Sequence, residues 1–182
     1  MIKLLVAVDS SDSSLWAARH AAFLYSEGNV SQIVLLNVQA PIEHGRASAY
    51  HSLAELRERE RKQGEAALAR AGEILDDSGV DYVAQIGIGS PANTILNAAQ
   101  ACQCDGIVLG LSAWARVLAL AGAGTPAKVM RRSRVPVTLV NAPHAQVPSE
   151  FTVHRPRTSH ARPALVVYSS ASLPRCVDRL AH

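Results

Sequence analysis

Five short apolar runs, separated by stretches long enough for helices, constrain this chain more than any other feature. Four of them, Leu4-Leu5-Val6-Ala7-Val8, Ile33-Val34-Leu35-Leu36-Asn37-Val38, Ile107-Val108-Leu109 and the run at 135–140, are nearly continuous. The fifth, at 80–88, alternates. Continuous runs of this length suit strands covered on both faces, as in a parallel sheet flanked by helices.

The intervening segments carry helical signals. After the polar turn Asp9-Ser10-Ser11-Asp12-Ser13-Ser14, Leu15, Ala18, Ala22 and Tyr25 recur at helical spacing with Trp16 and Phe23 beside them, and Gly28-Asn29 supplies the stop. A charged helix is predicted from about Ser52 to Asp77, with Leu53, Leu56, Ala66, Leu68, Ala71, Ile74 and Leu75 available for packing. Its Arg and Glu cluster, with pairs such as Glu58 and Lys62, reads as an exposed face. Gly89-Ser90-Pro91-Ala92 combines a turn glycine, a Ser N-cap and Pro at the first helical position, and the helix it opens reaches Cys102. A last short helix is predicted from Pro126 to about Arg132. The order β-α-β-α-β-α-β-α-β predicts an α/β fold with helices on both sides of the sheet, and ligands on such sheets bind beyond the strands' carboxyl ends.

One loop attracts attention on that ground. The strand at 107–109 ends in Gly110, and a small-residue stretch, 111–125, leads into the last helix. Amides not used inside a first helical turn can face an anion, so this is a candidate phosphate cradle. Trp114, Val117, Leu118 and Leu120 are unusual there. Packing as a short helix or lid and contact with a partner protein are both open readings of them.

Length and composition bound the rest. A chain of 182 residues with 48% apolar content accommodates one domain, assigned to residues 1–141, plus an appendage, 142–182. That appendage contains Pro143, Pro148, Pro156, Pro163 and Pro174 with scattered His and Arg, and is expected to be mostly flexible. Its fragment Leu165-Val166-Val167-Tyr168-Ser169-Ser170 echoes Leu5-Val6-Ala7-Val8-Asp9-Ser10, which leaves open the remnant of a second, tandem domain.

Five arginines in the appendage against Glu150 and Asp178 account for the whole net charge of +3, so the body is neutral overall. A neutral body argues against a nucleic-acid partner. The apolar runs are too short to span a membrane and the N-terminus reads as a strand, not a signal peptide, so a cytoplasmic location is expected. Cys102, Cys104 and Cys176 do not form a disulfide framework, and Cys102 and Cys104 read as core residues, not ligands. No metal site and no catalytic constellation of paired carboxylate and base is found, so the chain reads as a binding module and not an enzyme.

Four pieces of the sequence resemble the universal stress protein family. They are Leu4-Leu5-Val6-Ala7-Val8-Asp9-Ser10-Ser11, Leu35-Leu36-Asn37-Val38, Gly89-Ser90-Pro91-Ala92-Asn93-Thr94-Ile95, and Asp105-Gly106-Ile107-Val108-Leu109-Gly110 with Arg132-Ser133-Arg134-Val135-Pro136-Val137. The resemblance implies a Rossmann-like three-layer sandwich with a five-stranded, mostly parallel sheet, and a homodimer formed through the strand Val135–Val140. It also implies a nucleotide site for ATP or another adenine nucleotide, with Mg present only alongside bound nucleotide.

At the adenine end the family positions fall on Ala7, Asp9 and Val38, with Leu109 beside them. Family members that bind ATP hold the phosphates with Gly, two residues, Gly, nine residues, then Gly followed by Ser or Thr. Here Gly110 matches the first glycine, Ala113 stands at the second and Ala123 at the third, while Gly124-Thr125 restores the final pair with one residue inserted. Alanine at two glycine positions is expected to weaken binding by roughly 1 kcal/mol or more each. Asp9 has two readings, contact with a nucleoside or a turn carboxylate for the first helix. A pyrophosphatase-type loop at Asp9–Ser13 would need glycines that this turn lacks. The leading expectation is a dimeric stress-response regulatory module with weak or lost nucleotide binding, with an unidentified protein partner left open. The alternative is a competent ATP-binding member with slow hydrolysis or autophosphorylation, and an adenine nucleotide α-hydrolase is a third reading without catalytic residues behind it.

Overall fold

The computed structural model describes residues 2–41, 53–112, 122–142 and 165–169. Its elements follow in the order β1 (Lys3–Val8), α1 (Asp12–Ser26), β2 (Gln32–Gln39), α2 (Leu53–Asp77), β3 (Tyr82–Ile88), α3 (Pro91–Ala101), β4 (Gly106–Leu111), α4 (Gly124–Arg132), β5 (Val137–Asn141) and β6 (Leu165–Ser169). All strand pairs are parallel, in the order β5-β4-β1-β2-β3-β6. The five strands and four helices predicted from periodicity are present. The sheet is one strand wider than expected, because Leu165–Ser169 of the appendage pairs with β3, from Ala84 opposite Leu165 to Ile88 opposite Ser169.

Alternation along the strands divides the core between two faces. Leu4, Val6 and Val8 of β1 join Ile33, Leu35 and Val108 beneath α1 and α2, where Ala17, Ala18, Ala21, Leu68, Ala71 and Leu75 pack. Leu5, Val34, Leu36, Ile107 and Leu109 point the other way, to Ile95, Ala98 and Ala99 of α3 and Val129 of α4. A sheet covered on both faces explains why its central strands read as unbroken apolar runs. The largest fully buried side chains, Leu5, Ile33, Leu35, Leu36, Leu75, Ile86 and Ile107, all but one lie on strands.

Small residues set the distance of α2 from the sheet. A Cβ on Gly64 would fall 2.9 Å from Ile86 Cδ1 and 3.0 Å from Asn37 Oδ1, and one on Gly72 would fall 2.6 Å from the Tyr82 hydroxyl. Helix glycine costs about 1 kcal/mol relative to alanine, and at these two positions close packing is the compensation. Of the side chains predicted to pack from α2, Leu68, Ala71 and Leu75 are buried and Ile74 partly so, whereas Ala66 is exposed. The side chains of Leu53 and Leu56 lie outside the described residues. Arg61 bridges Glu58 and Glu65 on the exposed face, with Lys62 3.8 Å from Glu58.

On α1, Phe23 faces outward at 57% exposure, and the Arg19 guanidinium stacks over Trp16, 4.7 Å from the ring centroid. Cys102 and Cys104 are buried in the core on the α3 side of the sheet. The neutral charge of the body is unevenly spread: Lys128, Arg131, Arg132 and Arg134, on α4 and its exit, are all exposed. Arg131 and Arg132 stand in the last turn of α4, where cations complement the helix dipole.

Candidate functional site

The strand order locates the candidate crevice. Chain connectivity leaves β1 toward β2 on one side, whereas β4 returns to pair with β1 on the other. The crevice beyond the carboxyl ends of β1 and β4 is therefore the topological switch point of this sheet.

Three of the predicted residues meet there on one face. Ala7 and Leu109 are register partners across the β1–β4 pair, and both, with Val38 of β2, belong to the apolar cluster on the α3 and α4 side. Leu109 is buried, while Ala7 and Val38 are partly open. Together they form an apolar floor on the side of the sheet from which α4 packs.

Gly110 is the next residue along β4 and so faces the opposite way, toward α1. A Cβ at this position would sit 2.2 Å from the Ser13 carbonyl oxygen and 2.7 Å from the Ser14 amide nitrogen. Glycine is needed at 110 because the backbone of β4 touches the first turn of α1. The expectation that Gly110 serves phosphate approach is thus joined by a packing reason that acts on the other face of the strand.

Asp9 follows β1 directly. Its Oδ1 accepts from the Ser11 amide at 2.9 Å and from the Ser11 hydroxyl, which lies 2.8 Å from Ser13 Oγ. The Ser14 hydroxyl donates to the carbonyls of Asp9 and Ser11, both at 2.8 Å. One carboxylate oxygen of Asp9 therefore holds the turn into α1, the structural reading of this residue. Its Oδ2 has no hydrogen-bond partner among the described residues. Asp9, Ser10 and Asp12 are exposed, but Ser13 and Ser14 are buried, at 7% and 3%, because β4 closes over them at Gly110.

The far side of the crevice is the start of α4. Gly122 and Gly124 have φ of 69° and 84°, and Ala123 between them is the N-cap with φ −105° and ψ 169°. Left-handed backbone favours glycine strongly, so the two glycines stand where the chain requires them. Ala123 occupies an extended conformation that any L-residue adopts. The expected conformational penalty at Ala123 is therefore absent. The helix begins at Gly124, two residues before the predicted start, and Pro126 lies within its first turn, where its missing N–H breaks no intrahelical bond. Ala123 makes no side-chain cap, so the first amides of α4, including those of Gly124 and Thr125, are not used by one. Ala113 lies outside the described residues, as do Trp114, Val117, Leu118 and Leu120.

Two contributors escaped sequence reasoning. Asn37 is buried at 2%; its amide donates to the Val8 carbonyl at 2.9 Å, and its Oδ1 accepts from Gln39. It ties the carboxyl ends of β1 and β2 together beside the crevice, and its only signal was a polar residue inside an apolar run. Arg70 reaches from α2 to the Ser10 carbonyl at 3.0 Å and to Asp12 at 3.2 Å, which braces the turn after β1. Nothing in the periodicity of α2 marks it.

A doubly wound parallel sheet, an apolar floor at the switch point and a glycine-framed helix start define a Rossmann-like fold of the kind that holds nucleotides at this crevice. The chain belongs to the universal stress protein family, whose model matches residues 1–141. It is 26% identical over 143 residues to universal stress protein MJ0531 of Methanocaldococcus jannaschii, an alignment covering 78% of this chain and 82% of that one. Among solved structures it resembles an Arabidopsis thaliana universal stress protein family member with AMP bound, at TM-score 0.60 and 21% identity, covering 82% of this chain and 97% of that one. It also resembles a universal stress protein in complex with cAMP, at TM-score 0.57 and 22% identity, covering 76% and 96%. Among the described residues no helix is long and apolar enough to cross a membrane, and no group of three or more His, Cys, Asp or Glu is placed to hold a metal.

Proposed function

We propose that this chain is a regulatory module that binds an adenine nucleotide at the β1–β4 switch point and acts through its occupancy, not through catalysis. The observation that carries the reading is the start of α4, where left-handed Gly122 and Gly124 frame uncapped amides next to the apolar floor of Ala7, Val38 and Leu109. The AMP and cAMP held by similar folds support adenine as the base. Asp9 Oδ2 is the acceptor for a ribose hydroxyl. Affinity is lower than in members with glycine at every motif position, because Ala113 replaces one of them and Pro126 removes one first-turn amide.

The competent ATP-binding reading has one observation in its favour: the extended backbone of Ala123 accommodates alanine without strain. Calorimetry with AMP, ATP and cAMP separates the two. Weak binding that tightens at least fivefold in Ala113→Gly supports the lowered affinity. Micromolar ATP binding unchanged by that substitution supports the competent reading, and absence of binding by all three nucleotides overturns both. A homodimer through β5 is part of the proposal, supported by the position of that strand at one edge of the sheet.

A further inference from the structure

The sixth strand sits where the family domain leaves an edge. The family model ends at residue 141, and among the described residues of that span β3 pairs with β2 on one side and with no strand on the other. This chain fills the open side with its own residues 165–169. An unpaired edge offers a row of backbone donors and acceptors to any strand that reaches it.

The attachment is one-sided. β6 pairs with β3 alone and has no comparable contact with any other described element. A five-residue strand held by one neighbour opens at a free energy well below that of the whole domain. The connection from β5 to β6 must cross the sheet from one edge to the other, about 24 Å at 4.8 Å per strand, and return along the roughly 17 Å of a five-residue strand, whereas a chain the length of residues 142–164 can span about 75 Å.

We propose that the outer edge of β3 is a docking site for a parallel strand, that residues 165–169 occupy it reversibly, and that the same segment of a second copy can take their place. The register of β6 identifies this segment as the occupant, because its main chain already satisfies the edge from Ala84 to Ile88. Exchange of an identical element between copies replaces one ladder with its equivalent and so costs little. Tethering favours the internal strand at low concentration. The exchanged form grows as concentration rises.

Two measurements test this. In native-state hydrogen exchange of the full chain, β6 amides and the edge amides of β3 should exchange through a shared opening while β1, β2 and β4 stay protected. Exchange of β6 only with global unfolding, or absence of any protection there, overturns the proposal. In the second, a fluorescein-labelled peptide of residues 163–171 is titrated into the wild-type chain and a full-length variant carrying both Val166→Pro and Val167→Pro, which removes a ladder donor whichever of these two neighbours points its N–H at β3. The peptide should bind the variant at least tenfold more tightly than wild type, and the same peptide carrying V166P and V167P should bind neither. Equal binding to both proteins overturns the proposal, as does no binding to a variant whose circular dichroism matches wild type; if the variant does not fold, the exchange experiment decides.

Discussion

Gly110 of β4 lies against Ser13 of α1 so closely that a Cβ would come within 2.2 Å of the Ser13 carbonyl oxygen. The clash is with backbone at the first turn of a helix, which cannot rotate away as a side chain would. Gly110→Ala should therefore destabilise the domain by about 3 kcal/mol or more, at the upper end of overpacking costs. Urea unfolding monitored by circular dichroism measures it. A loss below about 1 kcal/mol would mean that β4 and α1 are not in this contact.

Asn37 is the second test of the crevice walls. Asn37→Ala removes the buried donor to the Val8 carbonyl and should cost about 1–3 kcal/mol. Heteronuclear spectra should place the largest shifts in Val8, Asp9 and Gln39, the residues it joins. Shifts confined to α2 would contradict this role.

The proposed dimer is better examined at Thr138 than at its neighbours. Val137 and Leu139 pack against the α3 and α4 core of their own chain, so charged residues there would damage the fold itself. Thr138 is exposed on the outer strand β5. Thr138→Lys should leave the melting temperature within about 3 °C of wild type. It should weaken the dimer at least tenfold in sedimentation equilibrium, and an unaltered dimer would move the interface away from β5.

The ion-pair network on α2 gives a pH signature. Hydrogen bonding to Arg61, with the charges of Arg61 and Lys62, holds the Glu58 carboxyl below its ordinary value of 4.5. A lowered folded value means that the pair's contribution is present above the unfolded pKa and is lost as pH falls through the folded one. Because the pair is exposed, its effect on stability is small. Side-chain carboxyl NMR should show the Glu58 midpoint below that of an unstructured peptide and its return on Arg61→Ala; an unshifted midpoint in wild type would refute the network.

Much of the fold was legible because its signals are local. Continuous apolar runs identified the central strands, and Ser90-Pro91 marked the start of α3. The start of α4 was displaced because Pro126 looked like a first helical residue, whereas Gly124 begins the turn with a left-handed φ that no composition rule assigns. The packing role of Gly110 is not legible, since sequence order does not reveal that residue 13 lies across from residue 110. The same limit concealed β6. Leu165–Ser169 looked like a strand fragment in a Pro-rich tail, but its partner is Ala84–Ile88, too far away in sequence for periodicity to connect them. Ala7, Val38 and Leu109 lie in one apolar cluster because β1, β2 and β4 are neighbours in the sheet.

The distance in sequence between β3 and its outer neighbour has a consequence during synthesis. Ile88 completes β3 early, and Leu165 is added only after β4, α4 and β5 have been translated. At about 5–20 residues per second, several seconds separate the two events. Throughout that interval β3 lacks the strand that will pair with its outer side, while neighbouring ribosomes on the same message carry chains at the same stage.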